Sequence, residues 1–155
     1  SQRLNIKRTE AKEIIDNYFE KFPDIKTYIN KMVETAKDKG FVETIKKRRR
    51  YLNDINSKNA TLRGFAERNA INAPIQGSAA DIIKIAMINI HKAMKENKLK
   101  SKMLLQVHDE LIFDMHKEEK DVLSKLVNKQ MSEAIKLKVP LKVEMGIADN
   151  WLNAH

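Results

Sequence analysis

Cysteine is absent, and that single absence excludes a disulfide scaffold, thiolate-held zinc, iron–sulfur clusters and thiol catalysis. No stretch approaches the roughly eighteen uncharged apolar residues of a membrane-spanning helix, so no membrane partner is expected. The opening residues, Ser1-Gln2-Arg3-Leu4-Asn5, are polar and lead into no apolar run, which argues against a secretory signal. Neither an internal repeat nor a low-complexity linker is present. Ser1 stands where an initiator methionine would, and the expectation is a cut inside a longer protein with a natural C-terminus. What remains is 155 residues, 42% hydrophobic and 33% charged: enough for one domain with a core, too few for two sizeable ones.

Acidic residues are the minority charge. Lys plus Arg number 30 and Asp plus Glu 21, leaving a formal +9. Such an excess suits a polyanion, whose neutralised phosphates release counterions. A biased coding composition is the competing explanation, since 23 of the basic residues are lysine.

Hydrophobic spacing sets out the elements. Ala11, Ile14, Ile15, Tyr18, Phe19 and Phe22 recur on one helical face, with Thr9 expected as the cap. Pro23 fits a helix start; Ile25, Tyr28, Ile29, Met32, Val33 and Ala36 form a second stripe, and Gly40 is the expected stop. Both stripes read as core faces. Residues 41–45 and 50–52 suggest two short strands around the cationic run Lys46-Lys47-Arg48-Arg49-Arg50, a solvated loop or a phosphate contact. Residues 53–60 read as a loop. A long helical region over 62–95 is expected to be interrupted near Pro74 and Gly77, and its second half, 82–90, is apolar on nearly every side and expected to be buried. Two apolar runs, 103–107 and 111–113, predict a β-hairpin. Residues 118–137 predict an amphipathic helix with Val122, Leu126, Val127, Met131, Ala134 and Ile135 inward, and 140–145 a final strand. The class is α+β with an antiparallel sheet.

Two constellations carry chemistry. Gln106-Val107-His108-Asp109-Glu110 places an imidazole and two adjacent carboxylates where a hairpin turn prefers glycine or asparagine. Local rules broken between two apolar strands point to function, and paired carboxylates without cysteine suit a hard divalent ion such as Mg²⁺. A solvated polar turn is the plainer alternative. Arg68, Asn72 and Gln76 step by four, so a helix stacks them on one face, with Arg63 upstream. A donor ladder of that kind can follow the minor groove of a duplex, where every base pair offers acceptors. Asp81, within the apolar helix, reads as structural.

These residues carry a resemblance. The run Ala66-Glu67-Arg68-Asn69-Ala70-Ile71-Asn72-Ala73-Pro74-Ile75-Gln76-Gly77-Ser78-Ala79-Ala80-Asp81 resembles the signature helix of family A DNA polymerases, in their bacterial branch. Leu104-Leu105-Gln106-Val107-His108-Asp109-Glu110-Leu111 resembles their catalytic carboxylate hairpin. Glu43-Thr44, Arg48-Arg49-Arg50-Tyr51-Leu52 and Asn150-Trp151 follow the same family in the same order. The resemblance implies an antiparallel palm sheet bearing the carboxylate hairpin, a long buried central helix and a helical fingers remnant. Residues 1–55 would be the end of the fingers and 56–155 an incomplete palm, lacking the earlier aspartate strand.

The resemblance also implies template-directed nucleotidyl transfer from dNTPs to a primer 3′-hydroxyl, serving DNA replication and repair. Two Mg²⁺ ions act in the complete enzyme. Primer–template DNA is the partner, and the location is the bacterial cytoplasm, at the nucleoid. Asp109 becomes the metal ligand, Glu110 a weaker catalytic candidate, and His108 a neighbour of the primer terminus. Arg63, Arg68, Asn72 and Gln76 become DNA-binding residues. The family has glycine before the three arginines, where this chain has Lys47, and proline after Tyr-Leu, where it has Asn53. The isolated chain is expected to be inactive and to self-associate through surfaces that other parts of a polymerase would cover. Two rivals are a basic DNA-binding module without catalysis and a small metal-dependent nuclease using Asp109, Glu110 and His116.

Overall fold

The computed structural model describes residues 7–154, and the chain divides into two compact units that meet at Ile75 and Gln76. The fold is mixed, with long helices and two small antiparallel sheets: α1 (Arg8–Lys21), α2 (Pro23–Lys39), β1 (Phe41–Glu43), β2 (Arg49–Tyr51), α3 (Ala60–Glu96), β3 (Lys102–Val107), β4 (Glu110–Asp114), α4 (Lys120–Ser132) and the short α5 (Trp151–Ala154).

In the first unit, α1 starts one residue ahead of Thr9; Lys7 is its N-cap and no side chain caps it. The α1 stripe is not a core face. None of its residues is buried, and Ile14, Ile15, Tyr18 and Phe22 are about half exposed, at 55%, 53%, 47% and 49%. Amphipathic spacing makes a helix but does not supply the surface that covers it; here Tyr18 packs its ring against Phe19 and Phe22, 5.5 and 5.2 Å away. Pro23 opens α2 at a position whose N–H needs no partner, and Gly40 closes it at φ 75, donating its N–H to Ala36 O. Only Ala36 of the α2 stripe is buried. The core of this unit is Ala36, Val42, Leu52, Ile55, Ala66 and Ala70, with Ala73 packed on it. Tyr28 fixes α2 to α3 by donating its hydroxyl to Ile71 O at 3.2 Å, and burial pushes its phenol above the usual range. Lys37 pairs with Glu67 at 2.9 Å.

Asn59 caps α3 through its side-chain oxygen, which accepts from Thr61 N at 2.9 Å. The helix then runs 37 residues without the expected interruption; Pro74 is inside it. Proline removes one helical hydrogen bond, at about 3 kcal/mol in a helix interior, and the rest of a long packed helix outweighs that cost.

In the second unit, α3 buries one face rather than its whole girth. Ile83, Ala86, Ile90 and Met94 are buried, whereas Lys84 is exposed and Ile88 is 54% exposed. That face packs with Leu111 and Phe113 of β4 and with Leu123 and Val127 of α4. The fourth helix is shorter than its apolar pattern suggested, ending at Ser132, and a 3-10 turn (Lys117–Glu119) precedes it. Leu126, Val127, Met131 and Ala134 do join the core, but Val122 is 51% exposed and Leu123 takes the inward position. The expected strand at 140–145 does not form among the described residues. Alternation creates a strand only beside a strand that can pair with it.

Glu119 ties this unit together. Its carboxylate accepts from Lys100 N at 2.7 Å, Ser101 N at 2.9 Å and Ser101 Oγ at 2.6 Å, while Ser101 Oγ accepts from His116 N. The Lys100 N–H first, then the Ser101 hydroxyl, hold the Glu119 carboxyl down at about 2, against an ordinary 4.5. A depressed carboxyl pKa contributes stability that is present above the unfolded value and lost as pH falls through the folded one. Between pH 4.5 and about 2, wild type should therefore lose thermal stability more steeply than Glu119→Gln. Parallel melting curves for the two proteins across that range would remove the carboxylate from the account.

Candidate metal and nucleic-acid site

Strands β3 and β4 pair from Lys102↔Asp114 to Val107↔Glu110, with an irregularity between Met103 and Leu105 that leaves Leu104 as an extra residue. The connection is only two residues, His108 and Asp109. His108 has φ 53, the conformation that glycine ordinarily supplies at the first turn position. Gln106 braces the turn by donating its side-chain amide to His108 O at 2.9 Å. Backbone strain of this kind costs of order 1–3 kcal/mol and collects at functional sites.

The turn presents His108 and Asp109 to solvent, with Glu110 half-buried at the start of β4. Asp109 is a turn residue rather than a strand residue, so the sequence argument that strand alternation separates it from Glu110 does not apply. Asp109 makes no ion pair among the described residues. Among those residues no group of three or more His, Cys, Asp or Glu side chains is placed to hold a metal. The constellation Asp109, Glu110 and His116 is therefore not assembled. His116 lies beyond β4, its Nδ1 buried without a hydrogen-bond partner and 3.9 Å from the Glu118 carboxylate.

Along α3, Arg68, Asn72 and Gln76 are all exposed; the first two belong to the first unit and Gln76 begins the second. Arg68 lies 6.0 Å from the Phe65 ring. Arg63 differs from the other three. It is half-buried, and its guanidinium donates to Ser57 O at 2.8 Å, so part of its donor capacity closes the loop ahead of α3. Asp81 is buried at 7% exposure.

Sequence reasoning missed two features. One is the Glu119–Ser101–His116 network, whose partners lie 15 to 18 residues apart with no motif to join them. The other is the cross-strand stacking in the β1–β2 hairpin, which depends on a register that the cationic run conceals. Lys47 was legible: it adopts φ 65, the left-handed conformation expected of the glycine it replaces.

Comparison with known proteins places these features in context. A family model described as DNA polymerase family A matches residues 1–153. DNA polymerase I of Lactococcus lactis subsp. cremoris is 55% identical over 154 residues, which are 99% of this chain and 18% of that protein. DNA polymerase I of Geobacillus stearothermophilus is 51% identical over 154 residues, with the same shares of 99% and 18%. Among solved structures, the POL domain of Pol1 from M. smegmatis, in complex with DNA primer-template and dNTP, matches with a TM-score of 0.96 at 46% identity, covering 99% of this chain and 27% of that one. The chain thus spans 18% of the length of these curated relatives.

Proposed function

The chain belongs to DNA polymerase family A, and from that premise we propose that it forms part of the site where a DNA-directed DNA polymerase joins a deoxynucleotide to a primer 3′-hydroxyl. Residues 1–55 are assigned to the fingers and 56–155 to the palm, with primer–template DNA and dNTPs as partners in the bacterial cytoplasm, at the nucleoid. No helix among the described residues is long and apolar enough to cross a membrane.

The observation that carries the reading is the strained two-residue turn that holds Asp109 exposed beside Glu110. A hard cation takes oxygen ligands, and Mg²⁺ typically takes one or two carboxylates together with substrate phosphates. The exposed Asp109 carboxylate, with no ion pair among the described residues, fits one such ligand. When bound, Mg²⁺ supplies positive charge against the phosphates and acidifies the primer hydroxyl. Asp109 anchors that charge at the hairpin tip. Glu110 supports the tip from the first β4 position, and His108 lies against the primer terminus. One carboxylate provides part of a two-ion site, so these 155 residues supply part of the apparatus and are not expected to extend a primer alone.

Arg68, Asn72 and Gln76 engage the minor groove, with Arg63 setting the start of the helix that carries them. In a chain holding the whole polymerase domain, Arg68→Ala and Gln76→Ala should each weaken primer–template binding by about 1–3 kcal/mol, the worth of a hydrogen bond to a charged or polar group. The loss should be equal on all sequences, because the acceptors used are common to every base pair. Titration against duplexes of contrasting composition checks this. A marked new sequence preference, or unchanged affinity, counts against the assignment.

A further inference from the structure

The β1–β2 hairpin of the first unit stacks an aromatic pair with a cation and leaves the outer ring open. Phe41 faces Tyr51 across the strands, with ring centroids 5.7 Å apart at 63°. The Arg49 guanidinium lies over the Phe41 ring at 4.3 Å, which is cation–π range. Glu43 accepts from Arg49 Nε at 3.1 Å and lies 3.6 Å from Lys47 Nζ. Hydrogen bonds to Tyr51 first, and then to Glu43, raise the Arg49 pKa further, so this cation is held in place. The turn is fixed as well, by Thr44 N to Arg48 O and Lys47 N to Thr44 O, both 2.9 Å, with Lys47 at φ 65.

Tyr51 nevertheless remains 65% exposed, and its neighbours are five consecutive cations, residues 46–50, against the single acid Glu43. A folded monomer gains nothing by exposing a tyrosine ring on a rigid hairpin among like charges that repel one another. Both features suit a polyanion whose monomers carry flat faces. Duplex DNA hides its base faces, so the chemistry selects a single strand: cations track the phosphates while a base stacks on the exposed ring.

We infer that the β1–β2 hairpin is a binding site for single-stranded nucleic acid, with Tyr51 as the stacking platform and the Lys46–Arg50 turn as the phosphate contact. This site lies within the first unit and does not rest on the catalytic reading. The test uses the 155-residue chain with chelator present and no nucleotide, so failure of the metal assignment leaves it unaffected. The readout is fluorescence anisotropy with a labelled thymidine oligomer of about 12 nucleotides, an abasic oligomer of equal charge, and a blunt duplex.

Tyr51→Ala should weaken thymidine-oligomer binding by about tenfold, the worth of one stacked base, while Tyr51→Phe keeps the wild-type affinity. The abasic oligomer should bind more weakly and be indifferent to Tyr51→Ala. Lys46→Ala, which leaves the aromatic stack untouched, should lower the slope of log affinity against log salt by about 0.7. Circular dichroism of each variant secures the fold. Unchanged oligomer affinity in folded Tyr51→Ala, or equal binding of abasic and thymidine oligomers, would overturn the stacking platform. An unchanged salt slope in Lys46→Ala would overturn the phosphate contact.

Discussion

Asp109→Ala, made in a chain that carries the whole polymerase domain, is expected to lower the single-turnover incorporation rate by about a thousandfold or more while primer–template affinity stays within about twofold. The magnitude follows from what the carboxylate would anchor: metal charge at a transferring phosphoryl group is worth several kcal/mol, and each 1.36 kcal/mol is tenfold in rate. The expected selectivity follows from the turn. Asp109 is exposed and forms no ion pair among the described residues, so its removal strands no buried partner and should cost the fold little. Glu110→Ala should cost less rate, since Glu110 is half-buried, opposes Val107 in the ladder, and acts by support. Quench-flow kinetics beside equilibrium titration separates rate from binding. A large loss of affinity with the rate preserved would remove Asp109 from the metal role.

How much of this was legible in the sequence depends on whether the cause was local. Pro23 and Gly40 delimited α2 correctly because a missing N–H and a free positive φ act within one turn of chain. The carboxylate turn was legible because its residues violate turn chemistry between two apolar runs, and His108 does carry a positive φ. The errors share one physical origin. Apolar spacing reports what a segment could bury, whereas burial needs a surface supplied from elsewhere. The α1 stripe, Val122 and Ile88 are exposed for that reason, and residues 140–145 alternate without pairing. Tyr51 escaped notice because its meaning lies in the register that sets it against Phe41.

Self-association of the 155-residue chain is the other large effect expected, and the α1 stripe is the surface most able to drive it. Ile14, Tyr18 and Phe22 recur every four residues with Ile15 beside them, all about half exposed at 47–55%. The β3–β4 hairpin is the competing surface. Leu104 and Leu105 are 54% and 55% exposed, and among the described residues neither strand has a second neighbour. The irregularity between Met103 and Leu105 disturbs the β3 ladder, and a bulge is a common guard against edge pairing. Helix packing through α1 should therefore prevail over strand addition. Each 100 Å² of apolar area covered contributes about 2.5 kcal/mol before the entropy of association is subtracted. The formal charge of +9 opposes it. Raising ionic strength from about 0.1 M to 1 M shortens the screening length from about 10 Å to 3 Å, so association should strengthen with salt. Sedimentation velocity across concentration and salt should show the mass rising toward a dimer, and Ile15→Glu with Tyr18→Lys should return it to a monomer. A wild-type chain that stays monomeric at high concentration and high salt would show that the exposed stripe drives no association. Persistent dimerisation in the α1 double variant would move the contact to the β3–β4 hairpin.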